Sequence, residues 1–157
     1  MAQRDRAVTQ LLDALDQAYN RVSWHGTNLR GSIRGLSPAA AARRPGRGRH
    51  NVHEVVVHCA YWKYAVWRLL TGAKRGSFAR KGSNWFARPR PDARAWRDDV
   101  ALLDQMHRQL RDVVTALTPR QLAGRGKGRF TKADLVAGVT AHDLYHAGQI
   151  QLMKRFL

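Results

Sequence analysis

Residues 135–153 read LVAGVTAHDLYHAGQIQLM, and this stretch decides which fold to expect. Residues three or four positions apart, starting at Leu135, are apolar except for two histidines and one glutamine. This spacing is the period of an α-helix with one buried face. The predicted buried stripe consists of Leu135, Val139, His142, His146, Gln149 and Met153.

Two histidines in this stripe, His142 and His146, are four residues apart. A helix turns both imidazoles to one face about one turn apart, a spacing that suits two bonds to one metal ion. An unpaired polar group in a core costs roughly 1–3 kcal/mol, so each imidazole needs a partner there. A metal ion is one such partner, and a backbone carbonyl or a carboxylate is the other.

The same period predicts three more long helices towards the N-terminus. Asn51 is a good N-cap and Gly72 a good helix stop, and Thr131 can cap the last helix. Residues 36–50 are predicted to be a loop with one short helical turn, and the glycine-rich residues 124–129 a flexible turn. The four predicted helices cover residues 3–34, 51–72, 92–117 and 131–156.

Four amphipathic helices of this length predict an all-α fold, a four-helix bundle formed by a single domain over residues 1–157. The connection over residues 74–91 could reach roughly 60 Å if fully extended, which is enough to cross the whole bundle. This length favours an up-down-down-up order in which the second and third helices run parallel. A long hairpin loop fits the same residues and remains an alternative.

Two further histidines, His58 and His25, are predicted at a distance from the helix end comparable with that of His146. His58 lies roughly 10 Å from one end of the second helix, and His25 and His146 lie roughly 14–15 Å from the ends of theirs. Three neutral imidazoles leave open positions on Zn, Ni, Fe or Mn, as in a catalytic metal site. Asp143 and Glu54 are expected on the surface.

The charge of the chain is strongly positive, with 28 basic and 11 acidic residues and a formal net charge of +17. Such an excess favours attraction to nucleic acid, anionic lipid or an anionic small molecule. The single cysteine, Cys59, can form neither an intrachain disulfide nor a cysteine-type zinc site. No apolar run is long enough to span a membrane and no signal pattern begins the chain, so we expect a cytoplasmic protein without a membrane partner.

Residues 51–62 (NVHEVVVHCAYW), 82–86 (GSNWF) and 141–150 (AHDLYHAGQI) resemble the DinB/YfiT-like superfamily. The resemblance implies an up-down-down-up four-helix bundle, a three-histidine metal site and a homodimer. Carried over residue by residue, it implies that His58, His142 and His146 are the metal ligands. Relatives include thiol-dependent transferases and isomerases, so a low-molecular-weight thiol is an implied cofactor.

Four other residues are candidates for the surroundings of the metal. Gln149, two turns beyond His142, can orient His146 or bond to a metal-bound water. Trp62 is expected on the inner face of the second helix, and Trp85 is a candidate lid in the long connection. His25 is a pocket candidate on the depth argument alone.

The first functional hypothesis is a metal-dependent enzyme, a transferase or hydrolase, that activates a thiol or water and acts on an anionic small molecule. Basic loop residues, including Arg43, Arg44, Arg47 and Arg49, would attract that substrate. The second is a nucleic-acid-associating protein that binds without sequence specificity. A metal-binding scaffold without turnover is the third.

Overall fold

The computed structural model describes residues 5–156, and these residues are mostly helical, so the prediction of an all-α chain is confirmed at this level. The predicted start of the first helix, residue 3, lies outside the described residues. In chain order the elements are α1 (Arg6–Tyr19), α2 (Leu29–Ser32), α3 (Pro38–Ala42), α4 (Val52–Thr71), α5 (Ala93–Ala116), α6 (Pro119–Ala123), β1 (Arg125–Lys127), β2 (Phe130–Thr131) and α7 (Lys132–Met153). No described helix is long and apolar enough to cross a membrane.

The predicted helix ends at Asn51, Gly72 and Thr131 are confirmed. The Asn51 side chain accepts a hydrogen bond from the Glu54 N–H at 2.8 Å, and Gly72 ends α4 in the left-handed conformation with φ +76°. The Thr131 hydroxyl accepts from the Asp134 N–H at 3.1 Å, while the Asp134 carboxylate accepts from the Thr131 N–H at 2.8 Å. These caps satisfy backbone groups that have no partner within the helix, and they fix where α4 and α7 begin.

The first predicted helix is wrong in its length, because α1 ends at Tyr19 and residues 20–28 form no helix. Val22 and Trp24 in this segment are 94% and 101% exposed. The apolar residues between 20 and 28, whose spacing suggested a helix to residue 34, therefore do not pack against the core. Only the short helix α2 continues the buried face, through Leu29.

Residues 124–131 form a two-stranded antiparallel hairpin where a flexible turn was predicted. The Lys132 N–H donates to the Gly124 carbonyl at 3.0 Å and closes the hairpin against the start of α7. A Cβ at Gly126 would lie 2.8 Å from both a Leu135 methyl and the Thr131 carbonyl oxygen. Glycine is required there because the two strands and α7 approach so closely.

The core consists of two apolar clusters with a buried polar layer between them. One cluster contains Val56 and Leu103, and the other contains Val66 and Leu110. Between them along α4, α5 and α7 lie three buried polar side chains, Lys63, His107 and Asp143. The Lys63 ammonium forms an ion pair with the Asp143 carboxylate.

The predicted surface position of Asp143 is therefore wrong. The buried stripe of α7 runs through Val136, Val139, Asp143, His146 and Ile150, so it is rotated relative to the predicted one. Burial of this carboxylate is possible because a cation from α4 faces it. His142 consequently lies at the rim of the stripe and is partly exposed.

Candidate metal centre

The imidazoles of His58, His142 and His146, here called the histidine trio, meet between α4 and α7. The Nε2 atom of His142 lies 3.0 Å from Nε2 of His58 and 3.1 Å from Nε2 of His146. The i, i+4 spacing on α7 brings the last two rings to one side of the helix, with centroids 4.3 Å apart. The three side chains thus form a group that could hold a metal ion.

The outer nitrogens of two trio members have oxygen acceptors that fix their tautomers. His58 Nδ1 lies 2.8 Å from the Asn84 carbonyl oxygen, and His146 Nδ1 lies 2.8 Å from Gln149 Oε1. Because these oxygens only accept, each Nδ1 carries the hydrogen and each Nε2 presents a lone pair. Metal-binding histidines typically have such partners on the outer nitrogen.

Burial keeps the trio neutral at physiological pH. The pKa of His142 is lowered to about 3 and that of His146 to about 4, chiefly by burial and in part by the charge of neighbouring trio members. The pKa of His58 is also lowered, chiefly by burial. Neutral imidazole is the form that binds metal, so little proton competition is expected near pH 7.

The donor set fits a divalent transition metal. In a tetrahedral site with metal–nitrogen bonds of about 2.0–2.1 Å, two ligand atoms lie roughly 3.3 Å apart. The separations of 3.0 and 3.1 Å in the trio are close to that value. Imidazole suits Zn, Fe and Ni, and three protein ligands leave a position open for substrate or water.

A second group, Cys59, His142 and Asp143, also brings possible ligand atoms close together. Cys59 is fully buried, and burial first and then the Asp143 charge raise its thiol pKa. A metal requires the thiolate, which this environment disfavours. Asp143 is moreover already paired with Lys63, so the trio is the better site.

Trp85, the predicted lid, is a half-buried residue stacked between two histidines. Its ring lies 3.9 Å from that of His58 and 3.6 Å from that of His50, nearly parallel to both. The preceding residue, Asn84, has φ +63° and turns its carbonyl towards His58. Part of the long connection therefore covers the trio and orients one of its members.

Two buried carboxylates anchor the long connection beside the trio, and sequence reasoning missed both. Glu54 accepts from the Arg88 N–H at 3.1 Å and pairs with Arg44 at 2.6 Å, so its predicted surface position is wrong. Asp99 pairs with Arg80 and Arg88 at 2.7 and 2.6 Å. Burial alone would raise the pKa of both carboxyls, but hydrogen bonds bring each below its ordinary value, for Asp99 first the one with His53 and then those with the two arginines. The only signal in the sequence was the high arginine content of the connection.

Trp62 and His25 differ from expectation. Trp62 was expected in the core but is 37% exposed, because it lies at the border between the buried and the exposed face of α4. Its ring is nevertheless 6.3 Å from that of His58 and 6.2 Å from that of His142, and its Nε1 donates to Asn84 Oδ1 at 3.0 Å. His25 is exposed in the segment after α1, where it contacts Ser23, so the prediction that it points inward at the depth of the trio is wrong.

Two cavities border the trio. The Arg49 cavity, of about 520 Å³, is lined by His146 and by Arg49, His50, Trp85, Tyr145 and Gln149 among others. The Val139 cavity, of about 320 Å³, is lined by His142 and by mostly apolar side chains that include Trp62, Val66 and Val139. The trio is thus bordered by one cavity with polar groups and one that is largely apolar.

Replacing Gln149 with leucine is expected to weaken Zn²⁺ binding by about 10- to 100-fold, because His146 loses the acceptor that fixes its tautomer. A competition titration with a chromophoric chelator measures the change. Gln151→Leu on the exposed side of α7 is the matched control and should leave the affinity unchanged. Equal affinities for the two variants would contradict an orienting role for Gln149.

Comparison with known proteins places the chain in a family. The model of the DinB superfamily matches residues 21–150, a range that contains the whole trio and the long connection. No curated protein and no solved structure matches the chain. On the family match over most of its length, the chain belongs to the DinB superfamily.

Proposed function

We propose that this protein is a metal-dependent enzyme in which the histidine trio holds a divalent transition metal, with thiol transfer as the reaction. The observation that carries the proposal is the convergence of three neutral imidazole Nε2 atoms beside two cavities. An ion held there would lower the pKa of a bound thiol or water and so supply a nucleophile at neutral pH. Thiol transfer is preferred to hydrolysis because of the resemblance of the His58 and His142–His146 motifs to thiol-dependent relatives.

The chain's own residues have distinct roles in this proposal. Gln149 holds His146 and the Asn84 carbonyl holds His58, so both rings are oriented before substrate arrives. Trp85 stacks on His58 and limits the access of water from that side. The trio members themselves bind and do not transfer protons.

The two cavities support separate binding sites for the two reactants, the thiol and the electrophile. Arg49 and His50 line the cavity beside His146, which favours a carboxylate-bearing thiol or another anionic reactant there. Of the basic loop residues expected to attract an anion, Arg44 is already engaged by Glu54, so Arg49 is the better candidate. The apolar Val139 cavity beside His142 suits the hydrophobic part of an electrophile.

The test is a thiol-transfer assay with Zn²⁺-loaded protein, an aromatic electrophile, and either mercaptosuccinate or the uncharged thiol mercaptoethanol. We expect turnover that prefers the carboxylate-bearing thiol and falls to the level of the metal-free protein in His146→Ala. Arg49→Gln should raise KM for mercaptosuccinate with little effect on mercaptoethanol. Equal rates with and without metal, in wild type and in His146→Ala, would exclude the proposal.

We also propose that the long helices form a four-helix bundle in up-down-down-up order. His53 and Lys63 of α4 approach Asp99 and His107 of α5, an ascending sequence of pairs that supports parallel helices. His58 and Lys63 of α4 approach His146 and Asp143 of α7, a descending sequence that supports antiparallel helices. Asp16 and Tyr19 of α1 approach Arg111 and Asp104 of α5, a descending sequence that supports a second antiparallel pair.

A further inference from the structure

A third cavity, of about 520 Å³, lies between α4 and the first half of the long connection and is here called the Arg75 pocket. Its volume is within the range of small-molecule sites, roughly 300–1,000 Å³. No member of the histidine trio lines it. It is therefore separate from the two cavities beside the trio, although Trp62 borders both the Arg75 pocket and the Val139 cavity.

The lining of the Arg75 pocket is strongly cationic. Five basic residues line it, Arg68, Arg75, Arg80, Lys81 and Lys127, and the described lining residues include no aspartate or glutamate. Arg80 is engaged by Asp99 at 2.7 Å. Within residues 5–156, the other four form no ion pair, so their charges are uncompensated by protein carboxylates. Like charges in a concave cleft raise the local concentration of anions.

The same pocket presents aromatic surface. Tyr61, Trp62, Tyr64 and Phe78 line it, and the Phe78 ring packs on Tyr61 and Tyr64 with centroids 5.4 and 5.3 Å apart. The Ser77 hydroxyl donates to the Tyr64 oxygen at 3.3 Å and ties the connection to α4. Aromatic faces beside arginine and lysine side chains suit a planar ring that carries negative charge.

We propose that the Arg75 pocket binds a small organic anion that carries an aromatic ring and at least two negative charges. Arg68, Arg75, Lys81 and Lys127 would contact the charged groups, and Tyr61 would pack against the ring. Nucleoside diphosphates and aromatic dicarboxylates share this chemistry. The site does not require a metal ion, and it goes beyond the function proposed for the trio.

The experiment is isothermal titration of the purified protein at about 150 mM salt, near physiological ionic strength, with ADP, benzene-1,3-dicarboxylate and uncharged adenosine. We expect one of the two anions to bind with 1:1 stoichiometry. If that anion is ADP, adenosine should bind at least tenfold more weakly than ADP. The anion that binds identifies the class. The same affinity in His142→Ala shows that the ligand is not held by a metal ion at the trio.

The variant Arg75→Gln/Lys81→Gln is expected to weaken anion binding by at least tenfold, and both residues are exposed in a loop, so folding should be unaffected. The matched control, Arg97→Gln/Arg120→Gln, removes the same charge from exposed positions outside the pocket. It should change the affinity by less than twofold. Equal weakening in the two double variants, or no binding of either anion to wild type at millimolar concentration, would overturn the proposal.

Discussion

Replacing His142 with alanine is expected to weaken Zn²⁺ binding by more than about 100-fold. His142 is the central member of the trio, with its Nε2 atom 3.0 and 3.1 Å from those of His58 and His146. Loss of a residue that only orients a ligand typically costs 10- to 100-fold in metal affinity, so loss of a ligand itself should cost more. Competition against a chelator of known affinity measures the dissociation constant of each variant.

His25→Ala is the matched control for this experiment. His25 is exposed in the segment that follows α1, so its removal should leave the affinity for Zn²⁺ within about twofold of wild type. His58→Ala should behave as His142→Ala does. Affinity retained in His142→Ala, or lost equally in His25→Ala, would contradict the assignment of the trio as the metal site.

The second large effect concerns stability, because Lys63→Met leaves the Asp143 carboxylate buried without its cation. Both side chains of this ion pair are 0% exposed, and Asp143 Oδ1 already has no hydrogen-bond partner. Removing one partner of a buried pair typically costs about 3–5 kcal/mol. We expect the free energy of unfolding of the metal-free protein to fall by that amount in urea titrations near pH 7.

Two further variants show whether the unpaired charge is the cause. Lys63→Met/Asp143→Leu removes both charges and should recover most of the lost stability, because apolar residues of similar volume can replace a buried pair. Arg94→Met breaks an exposed pair with Asp98 at 3.8 Å and should cost less than about 1 kcal/mol. A loss of less than about 1 kcal/mol in Lys63→Met itself would contradict the account of the polar layer.

The helix ends and the local spacing of the histidines could be predicted because they depend on residues close together in the sequence. Asn51, Gly72 and Thr131 act on backbone groups within four residues, so their effect is visible in the chain itself. The spacing of His142 and His146 fixes their relation on any helix. The tautomer-fixing contact of Gln149 with His146 also follows from a short spacing in the sequence, in this case three residues.

The buried charges could not be predicted because their partners lie far away in the sequence. Asp143 is buried because Lys63 faces it, and Glu54 and Asp99 are buried because arginines of the loops reach them. The helical period of one segment gives no information about such pairings. The buried stripe predicted for α7 from that period is therefore rotated relative to the observed one. The aromatic stacking of Trp85 on His58 likewise depends on how the long connection folds back.

At the end of α1 the prediction failed for the opposite reason. The local pattern is that of a helix, but the apolar side chains of the segment do not pack against the rest of the protein. Val22 and His25 continue the helical spacing of the first segment, but neither finds a core to pack against. Propensity and period favour a helix only weakly unless its apolar face is buried. The depth argument for His25 depended on that helix and fails with it.

X-ray absorption at the zinc edge of the Zn²⁺-loaded protein tests the central claim most directly. The trio predicts three imidazole nitrogens at about 2.0–2.1 Å and no sulfur, with the remaining scattering from oxygen or nitrogen. A sulfur at about 2.3 Å would instead indicate the group that contains Cys59 and would contradict the trio as the metal centre. An ion bound without imidazole scattering would contradict it equally.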